Sequence, residues 1–175
     1  AVMMVRVFDE YRHHVNELTR YRKQGSKIEL VAACKCFVVL IAQALKLQSQ
    51  SAGVFDDVAI ASDKLGLPVA VHAIGDGAVR MVLNGYEAAI KANGKRDSRN
   101  RIEHIEVVHP DDIPRFKELG TVASMQPTHP PGSAGLPVEP YLSYIGEDRW
   151  PYAFAWRTLV DAGAEIVFAT DWPVS

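Results

Sequence analysis

From residue 54 to residue 170, short apolar runs alternate with longer stretches of helical periodicity, and a glycine closes each helical stretch. Residues 54–65 read as a helix, with Val58, Ile60, Ala61 and Leu65 on one side and Gly66 as its stop. Residues 69–74 read as a strand and 76–92 as a helix carrying Val79, Val82, Leu83, Tyr86 and Ile90 at helical spacing. A strand over 101–108 leads to Pro110, which suits a helix start ahead of Asp111 and Asp112. That helix runs to Leu119, and 121–126 is the next strand. After a Pro/Gly-rich excursion over 127–140 and a Tyr/Trp-rich section, a helix ends at Ala162 and a last strand spans 165–170.

Upstream, the pattern is looser. Residues 2–8 form a strand candidate, 9–23 a solvated amphipathic helix, and 30–40 a near-continuous apolar strand of the kind parallel sheets use. Residues 41–51, rich in Gln and Ser, read as a loop or an irregular helix. Five or six strands alternating with helices make this an α/β protein with a parallel sheet. An open doubly wound sheet and part of a (β/α) barrel both satisfy the periodicity.

Bulk properties exclude some classes. A net charge of −2 gives no basic face for nucleic acid. The longest apolar run, 30–47, is broken by Lys35, Gln43 and Lys46 and falls short of the ~20 apolar residues of a membrane span. No signal-peptide pattern is present, and Cys34 and Cys36 lie too close together to clip a fold, so a reduced, cytoplasmic setting is expected. The chain begins without Met and stops at Trp172-Pro173-Val174-Ser175 directly after a strand, so both ends read as cut.

In parallel α/β proteins, ligands sit outside the carboxyl ends of the strands. Here those ends are chemically equipped: His72 and Asp76 in VHAIGDG, Glu103, His104 and Glu106 in RIEHIEV, Gln126 and His129 in SMQPTHP, and Asp171 in ATDWPV. Two histidines and a carboxylate from separate strands suit zinc. Taken singly, a strand histidine is more often a hydrogen-bonded core residue, and an Asp after a strand is often a helix cap. The conjunction shifts the balance toward a site. Gly75-Asp76-Gly77 imitates a dinucleotide fingerprint, but the third glycine falls at Arg80, and Asp76 occupies the place of the anion. His13-His14 read as solvated helix surface and His109 as part of a helix-starting loop.

VHAIGDGAV, RIEHIEVVHPDDIPRF, ASMQPTHPPGS, RWPYAFAWRTL and ATDWPVS together resemble the amidohydrolase superfamily, in the branch of YtcJ-like hydrolases and N-substituted formamide deformylase. The likeness is dense over 55–175 and thin over 1–54, within a single, truncated domain. It implies an α/β fold that is a partial (β/α)8 TIM-type barrel, approximately strands three or four to eight with their helices. It also implies hydrolysis of carbon–nitrogen bonds in a small amide-type substrate, assisted by one or two divalent ions such as Zn2+. His72 matches the metal ligand on strand five, and His104 the ligand on strand six. Asp171 matches the strand-eight aspartate, which binds metal and takes a proton from the attacking water. Catalytic roles then fall to Asp171 and His104, and Lys35 in CKCF matches the strand-four lysine that can be carbamylated to bridge two metals. Gln126, His129, Arg149 and Trp150 are candidates for the substrate pocket.

Two departures accompany the likeness. Val39-Leu40 stand where the pattern following the lysine has Asp-Gly, and the H-x-H pair of strand one is absent. A whole barrel takes ~250 residues, so the chain reads as the C-terminal two-thirds of one, completed by an N-terminal segment or by a second copy. Three function classes follow: a fragment of a metal-dependent hydrolase, inactive alone; a non-catalytic remnant that binds metal or a partner chain; or an unrelated parallel α/β binding domain with structural histidines.

Overall fold

The computed structural model describes residues 48–133 and 137–171, all within one compact unit, Val39–Ser175. The strands expected over 2–8 and 30–40, the helix over 9–23, Lys35 and both cysteines lie outside the described residues. The described part runs α1 (Gln48–Lys64), β1 (Ala70–Ala73), α2 (Asp76–Asn93), β2 (Arg101–His104), a 3₁₀ turn (Pro110–Asp112), α3 (Ile113–Leu119) and β3 (Val122–Met125). It continues through α4 (Tyr141–Ile145), a second 3₁₀ turn (Glu147–Tyr152), α5 (Trp156–Asp161) and β4 (Ile166–Phe168).

The four strands pair in the order β1-β2-β3-β4, all parallel. Each new strand is added on the same side of the last, with the intervening helices packed on one another: α1 on α2, α2 on α3, and α3 on α5. A doubly wound sheet reverses its strand order at a switch point. Sequential order without reversal is the barrel's pattern, and the fold is a partial TIM-type barrel.

Val71, Ile102 and Ala123 stand in register across three strands, fully buried against the helical layer. From α2, Val79, Val82 and Leu83 complete this core. The buried Tyr86 adds a polar tie, because its hydroxyl lies 3.1 Å from the carbonyl of Val69 and 2.9 Å from that of Arg101. One α2 side chain thus spans the starts of two strands. Asn100 reinforces the same place, its side-chain oxygen accepting from the Val69 N–H at 2.9 Å. A second tie joins α2 to α3 through the buried Asp112 carboxylate, which accepts from Arg80 Nε at 2.8 Å and Arg115 at 2.9 Å. Two guanidinium partners are what allow a carboxylate to be buried there.

Element bounds depart from the periodicity at the start of α1 and at the end of β2, and the buried face of α1 also differs. α1 begins at Gln48, inside the stretch expected to be loop or irregular helix. Its buried face is Phe55, Val58, Ala59, Ser62 and Asp63 rather than Ile60, Ala61 and Leu65. Tertiary pairing explains this rotation: Asp63 is taken inside because Arg96 donates to it at 2.8 Å and Asn93 at 2.9 Å. β2 ends at His104 instead of reaching 108, because His104 and Ile105 leave extended backbone. Among the described residues, no helix is long and apolar enough to cross a membrane.

Gly85 is where α1 and α2 meet. A Cβ there would run into ring carbons of the buried Phe55. Gly85→Ala gains up to ~1 kcal/mol of helix propensity, but an overpacked core costs about 1–3 kcal/mol. We expect net destabilisation by urea denaturation, relieved when Phe55→Leu is added to Gly85→Ala.

Candidate metal centre

His72 is the third residue of β1, and register pairs it with Glu103 on β2, while Ala73 pairs with His104. Side chains alternate along a strand, so regular backbone would send His72 and His104 to opposite faces. Their rings nevertheless meet edge to face, with centroids 4.1 Å apart. The backbone at His104 explains how. Its φ is +78°, and the Ile105 N–H is shared between Ala73 O at 3.1 Å and Glu103 O at 3.2 Å. The second bond closes a three-residue γ-turn centred on His104, a rare and strained geometry. Ile105 follows at φ +51°, an outlier for a β-branched residue. Such strain costs on the order of 1–3 kcal/mol per residue and is held by the surrounding structure. Here the anchors are the β1 carbonyl and the full burial of Ile105.

His129 arrives from β3 through a tight turn in which Pro127 holds the second position and the His129 N–H donates to Gln126 O at 3.1 Å. Its ring stacks on that of His104, centroids 5.3 Å apart and planes 11° from parallel. Asp171 lies three residues beyond β4 with φ +61°. Its Oδ2 is 3.8 Å from His129 Nε2. His104, His129 and Asp171 each present a ligand atom, and these atoms all lie within 4.8 Å of one another.

The donor set fits a divalent cation. Zinc takes nitrogen and oxygen ligands at about 2.0–2.2 Å, so two ligands of one ion lie at most about 4.3 Å apart. The 3.8 Å between His129 and Asp171 is too long for a hydrogen bond yet within that span. Nδ1 of the buried His104 has no hydrogen-bond partner, which is costly unless something else uses its lone pair or proton. Burial holds the pKa of both His72 and His104 below the usual histidine value, with Asp171 pulling each partly back. Neutral imidazoles are the form that binds metal.

Around this cluster the other sequence-derived residues divide. Gln126 is buried at the end of β3, its side-chain oxygen without a hydrogen-bond partner. Arg149 and Trp150 secure the 141–152 segment. Arg149 Nε pairs with Asp76 at 3.1 Å, and the Trp150 indole N–H donates to Leu142 O at 3.1 Å. His109 caps the 3₁₀ turn, accepting from the Asp111 N–H at 3.2 Å. Glu106 is the residue that strand-end reasoning noticed but gave no role. Its carboxylate lies 3.7 Å from His129 Nδ1, and burial raises its pKa above the usual glutamate value. Inside the strand expected over 101–108 it looked like one more strand position, but the backbone leaves extended geometry at His104 and Ile105, just before it.

A family model described as the amidohydrolase family matches residues 5–175, further toward the N-terminus than the motifs alone reach. LONG AFTER FAR-RED 3 of Arabidopsis thaliana is 39% identical over 117 residues, covering 66% of this chain and 19% of that protein. The putative amidohydrolase YtcJ of Bacillus subtilis is 33% identical, covering 62% of this chain and 19% of its own length. N-substituted formamide deformylase of Arthrobacter pascens is 31% identical, covering 67% and 21%. Among solved structures, an uncharacterized metal-dependent hydrolase from Pyrococcus furiosus superposes with a TM-score of 0.54 at 33% identity, over 71% of this chain and 24% of that one. Another from Pyrococcus horikoshii gives 0.55 at 28%, over 71% and 23%. The chain thus spans about a fifth of the length of the curated relatives it matches.

The depressed histidines predict an acid-sensitive fold. Unfolded, His72 and His104 titrate near the ordinary value of 6.5; folded, they titrate lower. Their contribution is therefore intact above about pH 6.5 and is lost as pH falls through the folded pKa values. Glu106 acts in the opposite sense, its raised pKa easing the burden of burial in acid, but that relief comes nearer its own range. We expect the urea midpoint of the metal-free chain to fall between pH 7 and 5.5, with a smaller fall in His104→Asn.

Proposed function

We propose, for a chain that belongs to the amidohydrolase family, that it forms the metal-holding part of a hydrolase acting on carbon–nitrogen bonds other than peptide bonds, with amides or N-substituted formamides as substrates. The observation that carries this reading is the convergence of His72, His104, His129 and Asp171 from four consecutive parallel strands. In barrels that end of the sheet gathers catalytic groups. The name of the Arthrobacter relative supplies the substrate class, and those of the Pyrococcus structures the metal dependence.

His72, His104 and Asp171 would hold the ion, and zinc is the ion we assign to this mixed nitrogen and oxygen donor set. When bound, such an ion supplies Lewis-acid polarisation of a carbonyl and a lowered pKa for water. The chain's own work is proton transfer and shielding. Asp171, about a third exposed, is open to the substrate side and accepts the proton of the attacking water. The same carboxyl returns that proton to the leaving nitrogen, which cannot depart as a free amide anion. Burial keeps His72 and His104 uncharged, so they neither repel a cation nor compete for the proton.

A second reading is favoured by one sequence fact: the chain holds no H-x-H pair. On that reading it binds metal without turnover until a segment carrying H-x-H joins it. Lys35 would bridge a second ion only in that completed site.

Two measurements test both readings. Zinc affinity of the purified chain should fall in the His72→Ala/His104→Ala double variant by more than the roughly 10–100-fold typical of outer-shell substitutions; equal zinc in the two preparations ends the metal reading. Hydrolysis of an N-substituted formamide should need an added segment containing H-x-H. Turnover by the bare chain overturns the second reading, and none in either case removes the substrate class.

A further inference from the structure

Beside the metal centre, two polar groups are left without hydrogen-bond partners. The hydroxyl of Tyr141, at the start of α4, is buried and unpaired. The Glu106 side chain is only 17% exposed, yet among the described residues no lysine or arginine pairs with its carboxylate. Its one charged-group neighbour, His129 Nδ1, is 3.7 Å away, beyond hydrogen-bond length.

The fold brings these two groups together. Residues 152–154 run back along 106–108: the Phe154 N–H donates to Glu106 O at 2.8 Å, the Val108 N–H to Tyr152 O at 3.1 Å, and Val107 and Ala153 form an antiparallel bridge. Phe154 is held there at φ +47°, left-handed backbone that a bulky residue adopts only under constraint, and such strain gathers at ligand sites. The Tyr141 ring packs on that of Phe154, centroids 6.0 Å apart. Burial, with the Glu106 charge added, pushes the Tyr141 hydroxyl up to about 12, so it stays neutral.

A buried hydroxyl without a partner and a largely buried carboxylate without a cation are both costly. The carboxylate and the phenol oxygen accept hydrogen bonds, and the two rings offer π-systems to a cation. An ammonium answers all of these groups at once, whereas an uncharged apolar substituent answers only the rings. Position follows from His129, whose Nε2 lies 3.8 Å from Asp171. An imidazole ring thus separates Glu106 from the carboxylate that transfers the proton. A group held at Glu106 belongs to a substituent of the substrate, with the scissile amide at Asp171.

We propose that Glu106 and Tyr141 form a subsite for an ammonium group on the substrate, so that the chain favours amides with an amino-bearing substituent. The inference rests on the hydrolase reading above and names the substituent which that reading leaves open.

The test uses the full, zinc-loaded chain and needs no turnover. Its probes are N-alkylformamides ending in a primary amine, in a short series of chain lengths, and the uncharged N-alkylformamides of the same lengths. Isothermal titration calorimetry gives the dissociation constants. At the best length we expect the amine to bind at least about tenfold more tightly, the worth of a hydrogen bond to a charged group. Glu106→Gln, which keeps the shape and removes the charge, should bring the ratio of the two constants close to one. Tyr141→Phe should lower that ratio. Equal affinity of wild type for the two probes overturns the subsite. A preference that survives Glu106→Gln does the same, as it would if zinc or Asp171 held the amine. If circular dichroism shows the glutamine variant unfolded, an unchanged ratio in Tyr141→Phe overturns the subsite instead. None of these results touches the metal reading, which the zinc affinity of His72→Ala/His104→Ala decides. If neither probe binds a chain that takes up zinc, the formamide substrate class falls and the subsite with it.

Discussion

The backbone hydrogen bond from Ile105 to Ala73, with the γ-turn it closes on His104, is the contact on which the site depends. It holds two consecutive non-glycine residues at positive φ, against a steric preference for extended backbone at the end of a strand. Without that turn, strand alternation would direct His72 and His104 to opposite sides of the sheet. With it, the rings meet, β2 stops, and the chain that follows swings inward so that Glu106 lies near His129.

Holding such a turn requires a scaffold stiffer than the turn is strained. The β1–β2 pair is bound along its ladder, tied at its start by Tyr86 and Asn100, and buttressed by α2. α2 is in turn locked to α1 by the close approach at Gly85 and to α3 through the buried Asp112. Stability gathered at the helix layer thus maintains strain at the opposite end of the strands, a separation that barrels exploit generally. Asp171, at φ +61°, repeats the device on the last strand. Two of the clustered site residues are therefore in left-handed backbone, where asparagine, aspartate and histidine are the side chains best tolerated.

Electrostatics follow from the same geometry. Packing in a buried corner makes His72 and His104 harder to protonate, since burial first and a neighbouring imidazole second oppose the charge. Asp171 partly offsets this, and a corner of neutral nitrogens beside carboxylates is an environment suited to a cation. Tyr141 registers the same field: burial, with Glu106 nearby, pushes its hydroxyl up to about 12.

The alternation of apolar runs and helical periodicity was enough to specify a parallel α/β architecture, and the motifs at the strand ends were enough to make His72, His104 and Asp171 candidates. Those features are local, since period and residue type are written along the chain. Three others were not legible. The buried face of α1 was misassigned because a buried Asp63 depends on Arg96, thirty-three residues away. The end of β2 was placed too late because EHIEVV has strand composition throughout, and only the shared Ile105 bond breaks it. The choice between a doubly wound sheet and a barrel rests on strand order, which periodicity does not encode. What the sequence determined by itself was the kind of groups available and the elements that carry them. What tertiary structure decided was their direction: which nitrogen faces which carboxylate depends on a backbone torsion that one strand imposes on its neighbour.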